Sequence, residues 1–231
     1  MIVRAIRTRV FKEGEDLEAF IVRYVKRLKE GSVLVVTSKI VALAERRTAD
    51  PKDRERIIKE ESDFAVRTEI TWLTIKDGFV MMSAGVDESN AAGKLILLPR
   101  DSMEVAHVLR KALQKCYKVK KLGILITDSR TFPLRAGVSA VALGYAGFKG
   151  IRDYRGKKDI FGRTMVMSRV NVADALATAA VLEMGEGKEQ QPLALITEPR
   201  IEFANRVDRN ELKIDIKDDV YRPLFQHLDM K

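Results

Sequence analysis

Three acidic residues stand where a carboxylate could do more than solvate a surface. Asp128 follows the apolar run Ile124 to Ile126 in "LGILITDSRTFPLRAG" (122–137), with Thr127 and Ser129 on either side. Asp87 follows another apolar run in "SAGVDESNAAG" (83–93), beside Ser89 and Asn90. Glu186 lies between two glycines in "MGEG" (184–187). Each should leave a rigid element and enter a glycine-containing turn, where backbone can approach a ligand closely. Carboxylate, hydroxyl and amide oxygens are the hard donors that Mg2+ or Mn2+ prefers, completed by water and phosphate. Taken singly, Asp87 and Asp128 equally fit the start of Asx-turns, and Glu186 a solvated position. Spacing along the chain leaves both readings open.

Cations flank these turns: Lys39 after "VTS", Arg130, Arg135, and the cluster "RDYRGKKDIFGR" (152–163). A metal site ringed by Arg and Lys suits phosphoryl transfer, where positioning and charge neutralisation supply most of the catalysis. Other chemistries lack their residues. His107 sits inside a helical pattern and His227 near the C-terminus, and neither has zinc-ligand spacing to the other or to a cysteine. No G-x-S-x-G accompanies them for a nucleophilic triad. Neither G-x-x-x-x-G-K-[ST] nor a strand followed by G-x-G-x-x-G is present. The single cysteine, Cys116, excludes an intramolecular disulfide.

The elements that must position these groups are readable in outline. The periodicity of "DLEAFIVRYVKRLKEG" (16–31) predicts a helix, and "SVLVVTS" (32–38) a buried strand. Asp50-Pro51 should open a helix running to about Val66. "ITWLTIKDGFVMMSAGV" (70–86) reads as two strands joined at Lys76-Asp77-Gly78. Asp101-Ser102 should start a helix through Tyr117, followed by a strand ending at Asp128. "GVSAVALGYAGFKG" (137–150) is rich in small residues, which predicts close backbone approach. An imperfect strand over 163–172, an Ala-rich helix over 172–187, a strand over 193–197 and a charged terminal helix complete the chain. Helices and strands mix, with hairpins as well as crossovers, so the expected class is α+β, mixed sheets with flanking helices.

With 231 residues, 46% hydrophobic and 32% charged, the chain can bury a real core and has no run long enough to span a membrane. No signal-peptide pattern opens it, and a cytoplasmic location is expected. The 42 basic against 33 acidic residues, formally +9, favour anionic partners. Within "ERRTADPKDRERIIKEESD" (45–63), acids interleave with the bases, which predicts a solvated helix face rather than a binding stripe.

In their order and spacing, five stretches resemble the coenzyme F420-0:γ-glutamyl ligase family from about Phe11 to Pro192. They are "FKEGEDL" (11–17), "GSVLVVTSKIVALAERR" (31–47), "SAGVDESNAAGKLILLPRD" (83–101), residues 122–163 and "VNVADALATAAVLEMGEG" (170–187). The resemblance implies a GTP-dependent amide ligase (ATP being the other candidate nucleotide), in which an acceptor carboxylate is activated by phosphoryl transfer and L-glutamate attacks the acyl phosphate. It also implies a single unit over 1–231 with two interleaved subdomains, assembled as an intertwined homodimer. Carried over position by position, it puts the Mg2+ or Mn2+ ligands on Asp87, Asp128 and Glu186. Ser38, Ser89, Asn90 and Ser129 match positions near nucleotide and metal, and Asp159 and Arg163 match the family's D-x-x-G-R stretch. Lys39, Arg135 and Arg163 are expected to face phosphates or carboxylates, with Arg163, Asp87 and Asp128 the catalytic set.

The departures fall around the acids. The family usually reads "SKAEGR" where this chain has "ALAERR" (42–47), placing Leu43 at an expected lysine; Lys39 and Arg46 are the candidates to supply that cation. It usually reads "TDTNGR" where this chain has "TDSRTF" (127–132), so Arg130-Thr131 replaces an Asn-Gly turn. The acceptor is therefore expected to be F420-0 or a folate-type pterin glutamate. The alternative is a non-catalytic relative that binds nucleotide or RNA through its basic surface. The aromatic content of 6% offers few platforms for stacking single-stranded bases, which argues against that alternative.

Overall fold

A computed structural model describes residues 1–225 and Leu228; His227 lies outside the described residues. The frame is a five-stranded mixed sheet. Its strands are β1 (Ile2–Ile6), β2 (Ser32–Thr37), β8 (Leu122–Thr131), β9 (Val138–Ala146) and β12 (Leu193–Thr197), in spatial order β1-β12-β2-β8-β9. Only β2 and β8 run parallel, in register from Ser32↔Leu122 to Thr37↔Thr127. These two strands are apolar on both faces because both faces are covered. Leu34, Val36, Ile124 and Ile126 pack against α1 (Leu17–Tyr24), α2 (Ser38–Ala44) and α4 (Ser102–Tyr117). Val33, Val35 and Leu125 pack against α5 (Val172–Met184). Each such fully buried side chain is worth about 1.5–3 kcal/mol, so the parallel pair is the most firmly held part of the chain.

Between α2 and α4 the chain builds a smaller unit. It contains β3 (Thr48–Ala49), α3 (Arg54–Glu60), β4 (Phe64–Arg67), β5 (Trp72–Lys76), β6 (Phe79–Met82) and β7 (Leu95–Ile96). Strands β4-β5-β6 form an antiparallel sheet, and β3 pairs with β7. Trp72, Ile57, Ile58, Val86, Leu95 and Leu97 make its core. The Asp77-Gly78 turn has both residues at positive φ, as a two-residue hairpin loop demands. The charged run at 45–63 is paired within itself, through Arg56–Glu60, Lys59–Glu55 and Arg47–Glu61.

A third feature, the two-stranded ribbon β10 (Ile151–Asp153) and β11 (Arg169–Asn171), carries residues 154–168 away from the sheet. Ile160 and Phe161 at its tip are 91% and 89% exposed. The mixture of helices and sheets is the expected α+β class.

Several boundaries differ from expectation. The first helix stops at Tyr24, because the Tyr117 hydroxyl takes the Val25 carbonyl that the next turn would have used. The helix after Pro51 ends at Glu60. Ser62 turns back onto the Ile58 carbonyl, and Phe64–Arg67 is spent on pairing with β5. The strand expected over 163–172 shrinks to β11. Of the terminal helix, the described residues hold a 3-10 turn at Ile216–Asp218 and one helical turn at Arg222–Phe225. The close approach expected around 137–150 is present at Gly144, where a Cβ would lie 2.2 Å from the Ser102 backbone. Strand β8 does not end at Asp128. It continues paired to β9 through Thr131, past a register shift between Ile126 and Thr127.

Candidate functional site

The site follows from where β2 stops. Its last residue, Thr37, pairs with Thr127, so beyond that point β8 is covered on the β9 side alone. Asp128 is the first β8 residue past the end of β2. It sits at the carboxyl ends of the parallel pair, where mixed and parallel sheets place their ligands. Ser38, the residue following β2, donates its hydroxyl to Asp128 Oδ1 at 2.7 Å.

From there the polar contacts close into a ring. Lys39, next along α2, gives its Nζ to Asp87 Oδ2 at 2.9 Å, to the Ser89 carbonyl at 2.7 Å and to Ser89 Oγ at 2.9 Å. Asp87 is anchored by paired backbone bonds to Ile96 and caps its own turn through the Ser89 N–H at 2.7 Å. Asn90, at φ 54°, donates to the Gly187 carbonyl at 3.1 Å. Glu186, adjoining Gly187, accepts from Ser129 Oγ at 2.5 Å, and Ser129 follows Asp128 in β8. Four segments remote in sequence are thereby tied around the mouth of one cleft of about 860 Å3. Ser38, Lys39, Asp87, Ser89, Asn90, Asp128, Ser129 and Glu186 all line it.

The two aspartates of the ring are tuned in opposite directions. Burial pushes the Asp128 carboxyl up to about 6, and the nearby negative charge of Asp87 adds to it. The Ser38 hydroxyl, the Ser129 N–H and Lys39 oppose the rise without cancelling it. Burial also acts to raise Asp87, but its bonds to Lys39 and Ser89 outweigh that and hold it below the usual carboxylate range. Two carboxylates close enough to repel, surrounded by hydroxyl and amide oxygens, form a donor set that suits a hard divalent cation. Among the described residues, no three of the Asp, Glu, His and Cys side chains cluster tightly enough to hold one ion. Asp87 and Asp128 act on each other electrostatically, and Glu186 is linked to the Asp128 strand through Ser129.

The remaining expected residues lie elsewhere. Arg135, Asp159 and Arg163 are not among the residues lining the cleft. Asp159 accepts the N–H groups of Phe161 and Arg163, closing the exposed turn of the projecting ribbon. Of the two candidates for the cation missing at Leu43, Lys39 reaches the cleft. Arg46 does not, and its guanidinium packs over Gly14. Leu43 itself lines the cleft and packs on the core behind it. His107 is half-buried on α4, outside the cleft.

One contact of the site is tertiary and left no signal in the sequence, although Arg130 itself stood out there. Arg130, placed on the strand by the continuation of β8, stacks on the ring of Phe79 from β6 at 4.5 Å. This contact ties the small sheet to the large one. Burial lowers the Arg130 pKa, with Asp174 and Asp128 opposing from a distance. Asp174 is itself engaged by the Ala142 N–H and Asn171.

With the geometry in place, comparison with known proteins gives a consistent result. The sequence profile of the F420-0:Gamma-glutamyl ligase family matches residues 5–56 and 48–198. A Coenzyme F420:L-glutamate ligase of Methanocaldococcus jannaschii is 30% identical over 92% of this chain and 93% of its own. One from Methanopyrus kandleri is 34% identical over 81% of this chain and 82% of its own. A third, from Methanothermobacter thermautotrophicus, is 38% identical over 67% and 62%. The chain belongs to the F420-0:γ-glutamyl ligase family.

Proposed function

We propose that this ligase joins L-glutamate, through a γ-glutamyl amide bond, to a carboxylate-bearing coenzyme acceptor, either F420-0 or a folate-type pterin glutamate. GTP, or ATP, supplies the driving force. An acceptor carboxylate oxygen attacks the γ-phosphorus, the nucleoside diphosphate leaves, and an acyl phosphate forms. The amine of L-glutamate then attacks the acyl carbon; phosphate departs, and the amine's proton passes to solvent or to a cleft base. The observation that carries this reading is the hydrogen-bonded ring around Asp128 and Asp87, in a chain of this family.

Asp128 and Asp87, with Ser38, Ser89, Asn90, Ser129 and Glu186 around them, would hold Mg2+ or Mn2+. When bound, such an ion neutralises phosphate charge and orients the in-line transfer. The chain's own residues perform the remaining tasks. Lys39 faces the phosphates from the α2 side. The ring fixes the loop at 87–90 against the turn at 185–187, so the cleft is shaped before substrate arrives. Raising Asp128 toward neutral pH makes its carboxylate readily exchange a proton for a cation.

Arg163 and Asp159, both on the projecting ribbon, enter this scheme through a second copy of the chain. The projecting ribbon presents Ile160 and Phe161 to solvent, which fits a homodimer in which the ribbon of one protomer reaches its partner. The protein incubated with GTP or ATP, Mn2+ and L-glutamate is expected to add glutamyl units to F420-0 or to a reduced folate, read by mass spectrometry. No glutamylated product with either acceptor class would overturn the assignment.

A further inference from the structure

Three arginines line the cleft, and two are already committed. Arg9 is bonded to Glu15 at 2.9 Å and Arg54 to Glu88. The cleft's Lys39 is likewise paired with Asp87. Arg130 differs. Its Nε and Nη2 are buried and bonded to nothing among the described residues, and its acids, Asp128 and Asp174, act on it from beyond hydrogen-bond range. Phe79, which does not line the cleft, backs the guanidinium at 4.5 Å. Arg130 itself lines the cleft.

A buried guanidinium without an acceptor is strongly unfavourable, and stacking on one phenyl ring recovers only part of that cost. An arginine that lines a cavity, is backed by a ring and has no acidic partner in bonding range suits one kind of guest. Oxyanions, carboxylate or phosphate, accept charge-assisted N–H bonds from a guanidinium. We propose that Arg130, held by Phe79, is the residue that binds an oxyanion of the acceptor, a carboxylate or a phosphate group that does not itself react. That the guest is the ligase acceptor rests on the function proposed above; the oxyanion site itself does not. The proposal makes Arg130 a specificity-determining residue, located where the chain departs from its family's Asn-Gly.

The test separates the two layers. Melting of the full-length protein is followed while glutarate, a dicarboxylate, or inorganic phosphate is titrated in, for wild type, Arg130→Gln and Arg130→Lys. Wild type is expected to melt at higher temperature as anion is added, and Arg130→Gln to lose most of that rise. Without anion, Arg130→Gln should melt at or above wild type, since an unpaired buried charge has gone. A larger effect of glutarate identifies the guest group as carboxylate, and a larger effect of phosphate as phosphoryl; either supports the site. An undiminished rise in Arg130→Gln overturns it. If Arg130→Gln fails to fold, Arg130→Lys decides: a weakened rise supports the proposal, and an unchanged one contradicts it. In ligation assays, Arg130→Gln should raise the acceptor KM about tenfold or more, the loss of one charge-assisted contact, with the nucleotide KM unmoved. A rise confined to the nucleotide KM would overturn the acceptor assignment. If wild type ligates neither acceptor, the functional reading fails, while the anion titration still decides the site.

Discussion

The cleft has two walls, and they treat charge differently. On the wall built by α2 and the 87–90 loop, every charge is answered: Lys39 meets Asp87, Asp87 caps Ser89, and Arg54 meets Glu88. On the wall built by β8, charges stand two residues apart on the same strand without ionic partners in bonding range. Asp128 has a serine hydroxyl, and Arg130 has a phenyl ring. The first wall is a finished piece of protein structure. The second leaves one negative and one positive group for ligands to neutralise. Stability and function are thus divided between facing surfaces, which is the arrangement expected where a site is preorganised on rigid strands at some local cost.

Substitutions can break this contrast. The largest effect is expected from Asp128→Asn, which should lower metal-dependent nucleotide turnover by about a thousandfold, as loss of metal-assisted charge stabilisation implies. A steady-state phosphate-release assay checks it, with circular dichroism to show that the variant stays folded.

The same variant should be more stable than wild type in metal-free buffer, and the effect has a defined pH window. Asp128 has a folded-state pKa of about 6, above its unfolded value near 3.8. The stability it confers is therefore complete below about pH 4 and is lost as pH rises through 6. Wild type should lose up to about 3 kcal/mol across that window relative to Asp128→Asn. Urea denaturation at pH 4 and pH 7.5 measures the difference; a gap that does not grow with pH would remove the asymmetry between the walls.

Ser38→Ala sharpens the same point. Without its hydroxyl donor the Asp128 carboxylate is harder to charge, so stability at pH 7.5 should fall by about 1–2 kcal/mol, with little change at pH 4. On the other wall, Lys39→Met should cost about 0.5–1 kcal/mol, because the partly exposed pair is screened by solvent. Its pH dependence has the opposite sense. Asp87 has a depressed pKa, so its contribution is present above the usual carboxylate range and disappears as pH falls below it. The smallest effect, a few tenths of a kcal/mol, is expected from Asn90→Ala, which opens the ring at an exposed amide bond.

The sequence exposes the first wall and half of the second. Asp87, Asp128 and Glu186 are visible because each follows an apolar run or helix, a pattern local enough to read, although Asp128 lies within β8 and not at the turn the pattern suggested. Their convergence is not local. It depends on β2 and β8 running parallel and in register, and on Asn90 reaching Gly187 across 97 residues. Arg130 is visible as an unusual residue, but its place on a strand depends on the β8–β9 pairing, and its contact with Phe79 on how β6 packs against β8. The helix overrun past Tyr24 has the same origin, since only the fold brings Tyr117 to the Val25 carbonyl. The periodicity that located the α4 and α5 helices and the β5–β6 hairpin needed no such help.

Asp128 is a charge kept for a ligand, and calorimetric titration of Mn2+ into the apo protein at pH 7.5 tests this most directly. Saturable binding by wild type that is abolished in Asp128→Asn is the predicted result. Equal binding by the two proteins would contradict it.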